Sequence, residues 1–159
     1  MTKCSVSKEI EFDAGHRVPN HASKCRNPHG HRYRVRVVCV GSIIEVIGAS
    51  DQGMLIDFGN LKVLMQDRIH DVLDHGFIVW ESDEELLQCF WEKADWKVIA
   101  FPYIPTAENI AIWCWEQLED LIKAHWRGNL ELMRIDVWET PTSQASYEGI
   151  RNGAALPNP

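Results

Sequence analysis

His29-Gly30-His31-Arg32-Tyr33-Arg34-Val35-Arg36-Val37-Val38-Cys39-Val40 alternates along its length. His29, His31, Tyr33, Val35, Val37 and Cys39 share one parity, and Arg32, Arg34 and Arg36 share the other. Period 2 with one apolar side is the pattern of a half-buried strand, with the arginines turned to solvent or to another subunit. The segment before it repeats the pattern. Cys4, Val6, Ile10, Phe12 and Ala14 alternate with Ser5, Ser7, Glu9, Glu11 and Asp13. A polar connection from Arg17 to Pro28, broken by Pro19 and Pro28, separates the two. Successive strands of this kind pair as an antiparallel hairpin.

Downstream the period changes. Gly41 and Gly48 flank a weakly apolar stretch that reads as a further hairpin, and Gly53 to Phe58 reads as a short buried strand. Asp57 is placed to cap a helix. Leu61, Leu64, Met65, Ile69, Val72 and Leu73 follow in steps of three and four, so Asn60 to Leu73 is an amphipathic helix, with Gly76 as its stop. Residues 81–95 suggest a short helix and Val98 to Phe101 a short strand. Pro102 and Pro105 break the chain before Thr106 caps a second long helix. That helix turns Ile110, Cys114, Leu118, Leu121 and Ile122 inward, runs to about Trp126 and stops at Gly128. A last strand, Glu131 to Thr140, puts Met133, Ile135, Val137 and Glu139 on one face. Hairpin-linked strands with segregated helices give an α+β fold around an antiparallel sheet. One domain covers 1–149, and 150–159 is a loose tail.

Composition narrows the classes. The chain has 159 residues, 45% hydrophobic and 25% charged, enough for one core and unlike a disordered chain. No apolar run reaches the roughly 20 residues that span a bilayer, and Met1 to Ser5 lacks a signal-peptide core. The expected compartment is the cytoplasm. Sixteen Lys plus Arg against 23 Asp plus Glu leave a net charge of -7. Neither nucleic acid nor an anionic membrane is expected as a partner, although a local basic pocket for an anionic substrate is compatible with that balance. The five cysteines are odd in number and contain no C-x-x-C, which argues against a disulfide framework or a zinc ribbon.

The chemistry gathers at the strand ends. His29 and His31 project from the same face with only Gly30 between them. H-x-H alone also describes two ordinary histidines. His16, however, has the parity of Phe12 and Ala14, so a hairpin brings three imidazoles together. Three neutral histidines with one open position are a catalytic zinc set. His21, in the loop, is a possible fourth ligand or a solvated residue. Cys25 sits between Lys24 and Arg26, a setting typical of reactive cysteines, and reads as nucleophile or base rather than ligand. Asp74 can orient the adjacent His75, although simple capping at a helix end explains the pair equally well. Glu139 on a core face needs a partner, either a ligand's guanidine-like edge or an arginine. Thr106 and Glu108 suit the start of a helix. The seven Trp residues read as core or interface.

Taken together, these segments resemble a known family. Phe12-Asp13-Ala14-Gly15-His16-Arg17 resembles F-x-A-x-H-x, and Cys25-x-x-x-His29-Gly30-His31-x-Tyr33 resembles C-x-x-x-H-G-H-x-[YF]. Gly53 to Lys62 resembles G-M-[VL]-x-D-F-x-x-L-K. Leu73-Asp74-His75, Pro105 to Asn109 and Trp138-Glu139-Thr140 complete the set, in order over about residues 8–148. The family is that of the 6-pyruvoyl-tetrahydropterin and 6-carboxytetrahydropterin synthases.

The resemblance implies the tunnelling fold, a four-stranded antiparallel sheet with two long helices on one face. It further implies trimers whose sheets close into a barrel and stack in pairs as a homo-hexamer, with active sites between subunits. The Arg32, Arg34 and Arg36 face would then line the barrel lumen. The implied substrate is 7,8-dihydroneopterin triphosphate and the implied cofactor is Zn2+, held by His16, His29 and His31. Cys25, Asp74 and His75 match the catalytic residues, Glu139 the pterin anchor, and Thr106 and Glu108 further substrate-pocket positions. Three residues between Cys25 and the H-G-H run resemble the bacterial 6-carboxytetrahydropterin synthases of queuosine and 7-deazaguanine biosynthesis. Pyruvoyl synthases more often have five. The expected activity is a carbon–carbon lyase. The rival readings are pyruvoyl-type elimination without carbon loss and a pterin-binding module without turnover. Two features depart from the family pattern. Gly15 stands where Ala is commoner, and Ile78 to Tyr103 is long and rich in Trp.

Overall fold

The computed structural model describes residues 3–93, 95–125 and 129–149. The expected tail at 150–159 and the helix stop at Gly128 lie outside them. Among the described residues six strands form one sheet in the order β4-β3-β1-β2-β5-β6. They are β1 (Lys3–His16), β2 (His29–Ser42), β3 (Gly76–Trp80), β4 (Val98–Phe101), β5 (Leu130–Thr140) and β6 (Ser143–Tyr147). The helices are α1 (Phe58–Met65), α2 (Asp71–Leu73), α3 (Glu84–Phe90) and α4 (Ala107–His125).

β1 and β2 make the expected hairpin, 14 residues each, with His16 opposite His29 and Ala14 opposite His31. Their apolar parity forms the core: Phe12, Ala14, Tyr33, Val35, Val37 and Cys39 are buried. The arginine side is laced with ion pairs. Arg32 holds Asp13 at 2.9 Å, Arg36 holds the fully buried Asp136 at 2.8 Å, and Arg34 lies 4.1 Å above the Trp138 ring.

α1, a widened π turn at Gln66–His70 and α2 run on as one helical body. Its buried residues are Leu61, Met65, Ile69 and Leu73, each four residues from the last. An ideal α-helix drifts about 40° for every four residues. The wider turn takes up that drift and keeps the stripe on the sheet. Burying each of these side chains contributes about 1.5–3 kcal/mol. Asp57 caps α1 as expected, accepting from the Gly59 N–H at 2.6 Å. α4 buries Ile110, Cys114, Leu118 and Ile122, while Leu121 is only half-buried.

The structure corrects several expectations. The sheet has six strands, because β3 and β4 extend the four antiparallel ones in parallel pairing, and β6 was not anticipated. Residues 43–57 form turns rather than a hairpin and a strand. Bonds from Ile44 N–H to Met54 O and from Gly53 N–H to Ile44 O close that loop. Buried Leu55 and Ile56 explain its strand-like sequence. The helix ends at Leu73, and the left-handed residue after it is His75, with φ 56°, not Gly76. Gly76 already belongs to β3. A register shift at Val38/Cys39 flips the start of β5, so Leu130 and Leu132 are core residues and Met133 is not.

Candidate functional site

The hairpin register builds the centre. His16 and His29 are directly opposite across the strand pair, and His31 is two residues along on the same face. Their ring centroids stand 4.5, 4.9 and 5.3 Å apart, and one nitrogen from each lies within 4.8 Å of the others. Backbone carbonyls aim two of the rings. His16 Nδ1 is 2.6 Å from Pro105 O, and His29 Nδ1 is 2.7 Å from Asn27 O. A carbonyl can only accept, so each Nδ1 carries the proton and leaves Nε2 as a free lone pair.

This is the chemistry a metal requires. His16 Nε2, His31 Nε2 and the Tyr33 hydroxyl are buried without a hydrogen-bond partner. Orphaned buried acceptors cost about 1–3 kcal/mol each, and a cation shared between rings removes the cost. Burial pushes His16 down to about 4, with the other two rings adding to the shift, and burial lowers His31 as well. His16 and His31 are thus held neutral, as ligands must be. Among the described residues these three form the cluster able to hold a metal ion. His21 is not in it. It is exposed, and its Nδ1 accepts from the Ser23 N–H at 3.0 Å.

A cleft of about 260 Å³ opens beside His16. Cys25, Thr106, Glu108 and Glu139 line it, together with Ser143 and Gln144. Cys25 sits on a short turn, Lys24–Arg26, tied back by the Val18 N–H donating to its carbonyl at 2.8 Å. Thr106 Oγ1 accepts from the Asn109 N–H at 3.4 Å at the start of α4, and Glu108 lies in that helix's first turn. Glu139 Oε1 is 3.5 Å from His16 Nε2 without forming a hydrogen bond, and the side chain is 28% exposed. The expectation of a deeply buried Glu139 is therefore corrected: the end of β5 rises out of the core and presents this carboxylate to the cleft.

Asp74 and His75 lie elsewhere. His75 Nδ1 is 2.7 Å from Asp74 Oδ2, and Asp74 Oδ1 accepts from the Asp13 N–H at 3.0 Å. That backbone donor, followed by His75, holds the Asp74 carboxyl below the usual carboxylate range. His75 is 79% exposed and faces a second cleft with His31, Gly30 and Arg32. One chain therefore joins Cys25, Glu139, Thr106 and Glu108 to the histidine cluster. It holds Asp74 and His75 on a different opening.

Sequence reasoning missed β6 and the carbonyls of Pro105 and Asn27. The half-buried Ala145 and Tyr147, alternating after a Pro141-Thr142 turn, were a readable strand signal. The Pro105 contact joins residues 89 positions apart and left no local signal, whereas the Asn27 contact spans only two residues.

The chain is similar to known proteins over most of its length. Residues 5–150 match the 6-pyruvoyl tetrahydropterin synthase family. A Haemophilus influenzae protein named 6-carboxy-5,6,7,8-tetrahydropterin synthase is 33% identical over 145 residues, covering 90% of this chain and 97% of that protein. A Rickettsia bellii protein of the same name is 38% identical over 70% of this chain and 76% of its own length. Among solved structures, an uncharacterized protein of Wolinella succinogenes superposes with a TM-score of 0.75 at 23% identity, covering 94% of this chain and all of that one. The 6-pyruvoyl tetrahydropterin synthase of Plasmodium vivax gives 0.70 at 19%, covering 92% and 98%. Both structures carry the same fold. With 146 of its residues matched and relatives above 30% identity along most of its length, the chain belongs to the 6-pyruvoyl tetrahydropterin synthase family.

Proposed function

We propose that the chain is a zinc-dependent 6-carboxy-5,6,7,8-tetrahydropterin synthase. It converts 7,8-dihydroneopterin triphosphate and water to 6-carboxytetrahydropterin, acetaldehyde and triphosphate, toward queuosine or related 7-deazaguanines. The observation that carries this reading is the cluster of three histidines, His16 buried and His29 and His31 half-buried, beside a cleft that also holds Cys25 and Glu139. The name shared by the curated relatives and the three-residue spacer after Cys25 favour the carboxy product.

Zinc bound by His16, His29 and His31 supplies Lewis acidity toward the substrate's side-chain hydroxyls. The protein's own groups do the rest. Cys25, in the same cleft as His16, takes a proton from the substrate side chain. His75, oriented by Asp74 through its Nδ1, presents Nε2 for the second proton transfer. Glu139 accepts the adjacent N–H donors of the pterin's amino-pyrimidine edge. Thr106 and Glu108 line the pocket around the ring. The separation of Asp74–His75 from Cys25 supports a site shared between copies, with the pair supplied by a neighbour. The same reading takes the protein as a cytoplasmic homo-hexamer, a dimer of trimers. Among the described residues no helix is long and apolar enough to cross a membrane.

Pyruvoyl-type elimination remains the second reading, favoured by the names of several structural neighbours. Zinc-loaded protein incubated with 7,8-dihydroneopterin triphosphate and analysed by mass spectrometry tests both. The expected products are 6-carboxytetrahydropterin and acetaldehyde. A pyruvoyl product with no acetaldehyde overturns the carboxy assignment, and unchanged substrate overturns the enzyme.

A further inference from the structure

The two departures from the family pattern meet in space, on either side of His16. A Cβ at Gly15 would stand 2.5 Å from Phe77 Cδ2 and 2.7 Å from Cε2, so that space belongs to the Phe77 ring. Phe77 is paired with Gly15 across β1 and β3. Its ring lies 5.2 Å from Phe90 on α3, which lies 5.8 Å from Trp96. Gly15 thus admits the ring on which the Trp-rich segment docks.

One residue past His16 the segment is tied down again. Arg17 Nε donates to Asp83 Oδ2 at 2.7 Å, and its Nη2 donates to Asp83 Oδ1 and, at 2.9 Å, to Glu85 Oε2. The Arg17 and Asp83 side chains are only 13% and 4% exposed, while Glu85 is largely in solvent. Asp83 Oδ1 also accepts from the Leu86 N–H and so caps α3. A two-pronged pair between nearly buried groups fixes direction as well as distance. The residue after Arg17, Val18, donates its N–H to the Cys25 carbonyl at 2.8 Å. An unbroken path therefore runs from Asp83 through Arg17 and Val18 to Cys25.

We infer that Asp83 is a positioning residue. Through Arg17 it fixes the root of the 17–28 loop, and with it the place of Cys25 in the cleft shared with His16. The inference rests on the reading of Cys25 as a proton-transfer group. It gives the long segment a task, which is to brace the Cys25 loop from outside the cleft. Asp83 itself lines a different opening, with Arg17, Pro19 and Asn20.

Asp83→Asn and Asp83→Ser separate this role from helix capping, because both residues are good N-caps. Asn keeps one acceptor for Arg17, and Ser does not reach it. In the zinc-loaded full chain, five quantities are read: zinc content, melting temperature, kcat, KM for 7,8-dihydroneopterin triphosphate, and the alkylation rate of Cys25 by iodoacetamide, followed by peptide mass. Both variants should keep one zinc per chain. In Asp83→Ser, Cys25 should be alkylated about tenfold faster as the loop opens. Its kcat should fall about ten- to a hundredfold, as expected for a misplaced reacting group, with KM changed by less than about twofold. Asp83→Asn should lie between Asp83→Ser and wild type. Glu85→Gln, which touches only the exposed contact, should match wild type. Arg17→Lys keeps the charge but loses the fork, so it should behave like Asp83→Ser and carries the same test should the Asp83 variants not fold. Wild-type alkylation rates in folded, zinc-replete variants would overturn the inference, whatever happens to kcat. The alkylation arm needs no turnover, so failure of the proposed function would be recognised separately, by the absence of product from the wild type.

Discussion

The histidine triad and the Asp74–His75 pair are two answers to the placing of reactive nitrogen. The triad is rooted inside, with His29 and His31 half-buried. His16 is almost wholly buried, carbonyls fix two of the rings, and burial keeps His16 and His31 neutral. The pair is outside. His75 is mostly exposed, sits in a left-handed backbone conformation and leans on an Asp74 held charged by the Asp13 N–H. A non-glycine residue at φ 56° is unusual, and strain of this kind collects at functional sites. The difference teaches that one chain by itself gathers the three histidines beside the cleft that holds Cys25, whereas it holds Asp74 and His75 on another opening.

Breaking the inner half should have the largest effect. His29→Ala is expected to lose stoichiometric zinc and to lower kcat/KM by at least about a thousandfold, since a three-ligand set does not tolerate the loss of one. Metal analysis of protein purified without chelator checks it. A fully active variant that still binds one zinc per chain would remove His29 from the ligand set.

Breaking the proton-transfer groups should leave the metal alone. Cys25→Ala and His75→Ala are each expected to keep zinc and fold while kcat drops about 10²–10⁴-fold. If zinc falls in parallel with activity in Cys25→Ala, that cysteine is a ligand rather than a base.

Legibility in the sequence follows the same division. Alternation placed β1 and β2, and parity alone put His16, His29 and His31 on one face, because side chains in a strand obey a strict period of 2. The four-residue spacing from Leu61 to Leu73 read as a helix for the same local reason. Where structure depended on distant partners, the sequence was silent or misleading. Leu55 and Ile56 look like a strand but are buried in a turn. The register shift at Val38/Cys39 moved Met133 off the core face, and parity has no means of registering an inserted residue. Asp74 and His75 were found as a pair, yet their distance from Cys25 depends on the packing of α2 and β3 against β1.

A subtler contrast lies in pH. His16 has a folded value of about 4 against 6.5 when free, so below 6.5 the unfolded chain takes up a proton that the folded one refuses. In the metal-free protein, stability should be flat above 6.5 and fall by about 3 kcal/mol as pH drops toward 4. His31, also lowered, adds in the same direction. Asp74, also lowered on folding, acts in the same direction at lower pH: its contribution is present above 3.8 and is lost only as pH falls below that. Urea unfolding of metal-free protein across this range would show the first loss well before the second. Stability unchanged between 6.5 and 4 would mean that His16 and His31 take up protons as readily in the fold as in the unfolded chain.

The smallest effect is expected at Glu139, at the edge of the inner half. Glu139→Gln keeps the volume but turns one acceptor into a donor. Binding of a non-hydrolysable pterin triphosphate should weaken by about 1–3 kcal/mol with zinc unaffected. Equal affinities in calorimetry would leave the carboxylate as a partner of His16 alone, from which it stands 3.5 Å.

The proposed division of the site between copies can be tested by mixing two inactive variants. Cys25→Ala and His75→Ala proteins, each inactive alone, are unfolded together in equal amounts, refolded with zinc and assayed for turnover. If each site joins Cys25 of one copy to His75 of another, random mixing makes about a quarter of the sites intact and restores about a quarter of wild-type activity. If one chain supplies both residues to its own site, no intact site can form, and a mixture as inactive as its components would contradict the account.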